Sequence, residues 1–201
     1  MAVVIKPWRM LSILTEDELN FLSNRCKELP QGDIVCAGCY MGGDVIEISK
    51  AINPKEKAIV VIDSFDGLNE PDAEDLETDT PMVGGQCKCD FESVVSYLKA
   101  YEVKNTTVHK MWITEDNMKL IPKSKMSLLW LDLDRYMPTY VCLKVLWPWL
   151  NDKGWILIHD YGFEHTPGVK TAVERFNEEF GMSATMWQHQ VGGIWGMQKV
   201  G

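Results

Sequence analysis

From Thr15 onward the chain alternates between stretches with apolar residues at helical spacing and short runs that are apolar at almost every position. Thr15 and Glu18 form a capping box ahead of a helix that carries Leu19, Leu22, Cys26 and Leu29 on one side, and Pro30 and Gly32 stop it. A buried strand is predicted over 33–38, then a helix over 44–52 built on Val45, Ile48 and Ile52, then a strand over 58–63. The same reading gives a helix over 91–101, a strand over 105–111 and a short helix over 114–120 with Thr114 as its N-cap. A strand over 126–132, a helix over 139–150, a strand over 154–160 and a helix over 168–180 complete the alternation. Two edge strands near 183–189 and 193–199 follow, joined through Gly192 and Gly193 as an antiparallel hairpin. Strands apolar on both faces, alternating with amphipathic helices, predict an α/β fold: a doubly wound, seven-stranded, mostly parallel sheet closed by a C-terminal antiparallel hairpin. No repeat or linker divides the chain, so residues 1–201 are expected as a single domain, with 1–31 as an N-terminal helical extension.

Composition narrows the function. A chain of 201 residues can build its own core. The formal charge of −9 argues against a nucleic-acid partner, which needs a basic footprint, and against an anionic membrane surface. No run approaches the ~18 apolar residues of a membrane span, and MAVVIKPWRM lacks the features of a signal peptide, so a cytoplasmic location is expected. Six cysteines are too dilute for a disulfide scaffold and are expected as reduced thiols. Residues 63–87 hold eight carboxylates and no Lys or Arg. That segment is either a solvated loop or a functional lid, placed here over 64–90.

In an open α/β sheet, ligands sit at the carboxyl ends of the strands, near the point where strand order reverses. The first strand ends in CAGCYMGGD. Gly38 permits a tight turn, while Gly42 and Gly43 let a ligand approach the next helix N-terminus; a plain strand-to-helix turn is the alternative. The spacing is neither the dinucleotide fingerprint nor a P-loop. Asp63, ending the second strand, is suited to accept both hydroxyls of a ribose, so Gly38 and Asp63 together point to a nucleoside with a small charged tail. The fourth and fifth strands end in LDLDRY and IHDY. If those strands are neighbours, Asp132, His159 and Asp160 converge on one oxygen and nitrogen site for a divalent cation. The competing reading pairs Asp134 with Arg135 or a helix end and makes His159 a core histidine. Cys36-x-x-Cys39 and Cys87-x-Cys89 fit neither a thioredoxin motif nor a zinc site, His109 reads as a packing residue in a strand, and His165 as an exposed loop residue.

VIDSFDGL resembles the D-S-F-E-G-L signature of the macrocin O-methyltransferase family, S-adenosylmethionine-dependent enzymes that methylate sugar hydroxyls. LLWLDLDRYMPTYVCLKVLWPWLNDKGWILIHDYG is similar to that family's L-R-L-D-G-D-x-Y-x-S-T and D-D-Y-G segments, CAGCYMGGDVIEISKAI to its glycine loop, and GGIWGMQK to its closing strand. The resemblance spans roughly residues 30–199. It implies the class I, Rossmann-like methyltransferase fold, with Gly38, Gly42 and Gly43 around the methionine part of S-adenosylmethionine. It places Asp63 on the ribose, Ser64 and Trp112 near the nucleoside, and a divalent metal, magnesium or manganese, on Asp132, His159 and Asp160. His159 stands where the motif has its first Asp, and Cys36 where the loop has Glu.

The expected activity is methyl transfer to a hydroxyl of a small molecule, with Asp132 or His159 accepting its proton and the acidic segment excluding water. A small-molecule hydroxyl acceptor is thus the expected partner, with a homo-oligomer left open. A non-catalytic S-adenosylmethionine-binding relative and a nicotinamide-dependent oxidoreductase are the rival readings; the absent phosphate fingerprint and the terminal hairpin weigh against the second.

Overall fold

The computed structural model describes residues 6–78, 81–180 and 186–200. Pro7–Leu11 forms a 3₁₀ turn, and α1 runs over Glu16–Lys27 with the expected capping box between Thr15 and Glu18. Then follow β1 (Asp33–Ala37), α2 (Gly43–Ala51), β2 (Ile59–Asp63), α3 (Phe91–Ala100), β3 (Thr106–Lys110) and α4 (Glu115–Met118). The chain continues through β4 (Met126–Leu131), α5 (Tyr136–Leu146), β5 (Leu150–Ile158), α6 (Pro167–Phe180), β6 (Met186–Val191) and β7 (Ile194–Lys199). All join one seven-stranded sheet in the order β3-β2-β1-β4-β5-β7-β6. The first five strands pair in parallel, and β7 runs antiparallel to both β5 and β6. The expected start of the penultimate strand, 183–185, lies outside the described residues.

Side-chain alternation explains why these strands read as apolar throughout. Ile34 and Cys36 of β1, with Leu128 and Trp130 of β4, pack into one core with α1, α2 and α3. Val35 and Ala37, with Leu129 and Leu131, pack on the other face against α5 and α6. β1 and β4 therefore each contribute apolar residues to two cores at a period of two. Cys36 lies wholly inside β1, and the six cysteines are free thiols.

The boundaries around the fifth helix differ most from expectation. The fifth helix begins at Tyr136 rather than 139, because Pro138 falls in its first turn, where a missing N–H costs no hydrogen bond. It stops at Leu146, where Trp147–Trp149 tightens to a 3₁₀ turn around Pro148, and β5 begins at Leu150 rather than 154.

The 3₁₀ turn near the N-terminus is fastened by one buried carboxylate. Glu47, 1% exposed, accepts hydrogen bonds from Lys6 Nζ at 2.9 Å, Trp8 Nε1 at 2.7 Å and Arg9 at 2.7 and 3.1 Å. These donors outweigh its burial and hold its carboxyl at about 2, below the usual range. No helix among the described residues is long and apolar enough to cross a membrane.

Candidate active site

Strand order reverses between β1 and β4, and a cavity of about 330 Å³ opens at the carboxyl ends of the strands there. Gly38, Asp63, Ser64, Trp112 and Asp132 all line it. Gly38 leaves β1 at φ +79°, and a Cβ there would overlap the Asp132 carbonyl. Only glycine allows the two strand ends to approach so closely. Asp63 is held rigidly: Oδ2 accepts from the Cys39 N–H at 2.8 Å and Oδ1 from the Phe65 N–H at 2.7 Å. Each oxygen retains a lone pair for a ligand. Ser64 Oγ donates to the Gly67 carbonyl at 3.0 Å and accepts from the Asp66 N–H at 3.1 Å, shaping the turn below Asp63. Trp112 stands 42% exposed at the rim.

Gly42 and Gly43 do not line the cavity. A Cβ on Gly42 would press on Val94 and Leu98 of α3, and one on Gly43 would meet the backbone of Leu11 and Ser12 at 2.6 Å. Their absent side chains make room for helix packing and for the N-terminal turn, a physical reason different from the expected approach of a ligand.

The ends of β4 and β5 are neighbours, as required. His159 Nδ1 lies 2.8 Å from Asp160 Oδ1 and 3.2 Å from Asp132 Oδ1. One ligand atom from each of Asp132, His159 and Asp160 falls within 4.8 Å of the others, the one such trio found among the described residues. Asp132 opens on the cavity, with His159 and Asp160 buried behind it. Burial raises the Asp132 carboxyl above its usual range, against the pull of His159, and the charges of Asp160 and Asp63 add to the rise. Burial also disfavours the His159 cation, but Asp132 and Asp160 outweigh it and push the imidazole up to about 12.

Asp134 completes the cluster, and the pairing with Arg135 weighed against the shared site does not form. The Arg135 guanidinium donates instead to the carbonyls of Asn69 at 3.2 Å and Met82 at 2.9 Å, while Asp75 Oδ1 accepts the Tyr136 N–H at 2.8 Å. Asp134, at φ +56°, lines the cavity. Burial and then Asp160 push its carboxyl well above the usual range. The signal available for this residue was the D-x-D at a strand end. These contacts make the acidic segment a packed wall of the cavity through Ser64, Gly67, Leu68, Asn69, Asp72 and Cys87.

Asp44 was passed over in the sequence. It is buried beneath the glycine loop and accepts from Trp130 Nε1 at 2.6 Å and the Val45 N–H at 2.8 Å. Burial, then the nearby charge of Asp132, pushes it up to about 7. His109 lies in β3 and His165 on an exposed loop, as expected.

The residues fit a divalent cation. Among the buried side-chain atoms, His159 Nδ1 and Asp160 Oδ2 have no hydrogen bond of ordinary geometry, although two carboxylates crowd the imidazole. Unpartnered nitrogen and oxygen atoms converging with carboxylates form a hard-to-borderline donor set.

Known proteins resemble this chain in sequence and in fold. The chain is 26% identical over 161 residues to an 8-demethyl-8-(2,3-dimethoxy-alpha-L-rhamnosyl)-tetracenomycin-C 4'-O-methyltransferase of Streptomyces olivaceus, covering 76% of this chain and 60% of that protein. It is 25% identical over 158 residues to a demethyldecarbamoylnovobiocin O-methyltransferase of Streptomyces niveus, covering 74% and 59%. The chain thus spans about 60% of the length of these curated relatives. The solved structure of the O-methyltransferase NovP superposes with a TM-score of 0.82 at 20% identity, covering 95% of this chain and 83% of that one, which shows the class I methyltransferase fold. The family model described as macrocin O-methyltransferase (TylF) matches residues 19–197, and with that match over most of its length the chain belongs to the macrocin O-methyltransferase family.

Proposed function

We propose that this protein transfers a methyl group from S-adenosylmethionine to a hydroxyl of a small molecule, a sugar or related natural product, with a divalent cation, magnesium or manganese, bound at Asp132, His159 and Asp160. The observation that carries the reading is that Asp63 and Asp132 open on the same cavity at the switch point, close enough for one charge to raise the other's carboxyl. Asp63 accepts the ribose hydroxyls, with Ser64 and Trp112 beside the nucleoside and Gly38 giving the methionine end its close approach. The carboxylates of Asp63 and Asp72 suit the cationic sulfonium. The acidic wall excludes water that would otherwise solvate the nucleophile.

A divalent cation in this site supplies Lewis acidity that lowers the pKa of an acceptor hydroxyl. Asp132 reaches the cavity and takes the hydroxyl proton; His159, behind it, orients that carboxylate. The acceptor oxygen then attacks the methyl carbon in line with the breaking C–S bond, and S-adenosylhomocysteine leaves as a neutral thioether. The cytoplasm, where thiols stay reduced, is the compartment we infer.

The test is calorimetric binding of S-adenosylmethionine and its demethylated product, followed by radiolabel transfer to a panel of glycosides with magnesium or manganese. Asp160→Asn should abolish transfer and leave cofactor affinity within about threefold, since Asp160 does not touch the cavity. Loss of both would overturn the division of roles. Stabilisation by S-adenosylmethionine that ignores metals, with no transfer, would mark a non-catalytic binder; stabilisation by NAD alone would mark an oxidoreductase.

A further inference from the structure

Glu18 has no part in the chemistry above, yet it is buried against it, 4% exposed. Its Oε2 accepts from the Thr15 N–H and Oγ1, each at 2.8 Å, which closes the capping box. That duty needs one oxygen. The other, Oε1, accepts the Gly193 N–H at 2.6 Å and lies 3.6 Å from His159 Nε2. One carboxylate thereby joins the start of α1, the turn between β6 and β7, and the end of β5.

The turn is shaped to admit this contact. A Cβ on Gly192 would fall 2.6 Å from Glu18 Oε1, and one on Gly193 2.5 Å from the Phe163 ring. Phe163 meets the His159 ring edge-on, with centroids 5.8 Å apart. The imidazole is therefore walled by an aromatic ring and faces carboxylates from both nitrogens: Glu18 at Nε2, Asp132 and Asp160 at Nδ1.

We propose that Glu18 is a positioning residue for His159, keeping the Nε2–H directed toward α1 so that Nδ1 is presented to Asp132 and Asp160. A carboxylate behind an imidazole fixes the ring, decides which nitrogen stays protonated and strengthens the other as a donor. The proposal rests on the reading that these three residues hold a divalent cation. An imidazole nitrogen beside two carboxylates shifts preference toward manganese relative to an all-oxygen set.

The test uses the whole protein and the metal alone. Mn²⁺ is titrated with unbound ion counted by electron paramagnetic resonance, Mg²⁺ is added as competitor, and ¹⁵N-histidine spectra are recorded with Mg²⁺. Glu18→Gln should weaken Mn²⁺ binding by about 10–100-fold, the usual cost of losing such a partner, and narrow the preference over Mg²⁺. The metal-induced ¹⁵N shift should fall on Nδ1 in the native protein and spread over both nitrogens in the variant. Thr15→Ala, which loosens the helix cap without touching the imidazole, should lower the melting temperature and leave Mn²⁺ affinity within about threefold. Mn²⁺ affinity within threefold of native in Glu18→Gln, or an equal loss in Thr15→Ala, would overturn the proposal. If the native protein binds neither ion, the metal reading fails; Glu18 is then judged on the His159 Nε2–H, and exchange no faster in Glu18→Gln than in the native protein would overturn the positioning role as well.

Discussion

Replacing Asp63 by Asn keeps the shape of the side chain and changes only what its outer atoms can do. Both oxygens already accept backbone N–H groups, Cys39 at 2.8 Å and Phe65 at 2.7 Å. An amide nitrogen on either side would face a donor with a donor, leaving one N–H without its acceptor at a cost of about 1–3 kcal/mol. The charge is also lost toward the ligand. A hydrogen bond to a charged group contributes about 1.5–3 kcal/mol net, and the ribose offers two hydroxyls. Losing one or both weakens cofactor binding by about 2–5 kcal/mol, or roughly 30-fold to several-thousandfold. Isothermal titration with S-adenosylhomocysteine measures the second effect, and thermal unfolding the first, at about 2–4 °C per kcal/mol for a chain this size. A lowered melting temperature with affinity within threefold of native would refute the ribose assignment and leave Asp63 as a loop anchor only.

Gly38→Ala should lose more than about 3 kcal/mol, because a positive φ and the Asp132 carbonyl both oppose a Cβ; a urea midpoint close to native would sink that reading. Glu47→Gln should lose about 1–3 kcal/mol, because the buried Arg9 guanidinium then keeps only the exposed Glu16 as counter-charge, and denaturation at pH 7 checks it. The native Glu47 contribution is present above its ordinary pKa of 4.5 and is lost as pH falls through about 2. Asp44 runs the other way. Its carboxyl, raised from 3.8 to about 7, favours the fold when neutral, so its contribution is full below pH 3.8 and disappears as pH rises through 7. That span is worth about 4 kcal/mol at ~1.4 per unit. The native protein should lose stability relative to Asp44→Asn between about pH 4 and 7, and parallel curves would refute this.

The strands and the two poles of the site were legible because each announces itself locally. A run such as LLWL between polar ends has only one economical place, and an Asp at its end must meet either a ligand or a cap. Asp63 caps two backbone N–H groups and still opens on the cavity, which no single-residue argument reveals. The residues that escaped notice are those whose partners lie far along the chain. Glu18 reads as a complete capping box with Thr15, and nothing nearby points to Gly193, 175 positions on. Asp134 and Arg135 look like an ion pair because they are adjacent, until Asn69 and Met82 claim the guanidinium. Gly42 and Gly43 read as ligand-binding because the loop motif invites it, whereas their room is taken up by Leu98, Leu11 and Ser12.

The stitching of the acidic wall to the first turn of α5 has a kinetic corollary. Arg135 and Asp75 fasten that wall at Asn69, Met82 and Tyr136, so swinging it aside means giving up several bonds at once. Ile13 and Trp112, by contrast, stand 59% and 42% exposed along the same cavity. The wall is thus a fixed side of the cavity rather than a hinged one.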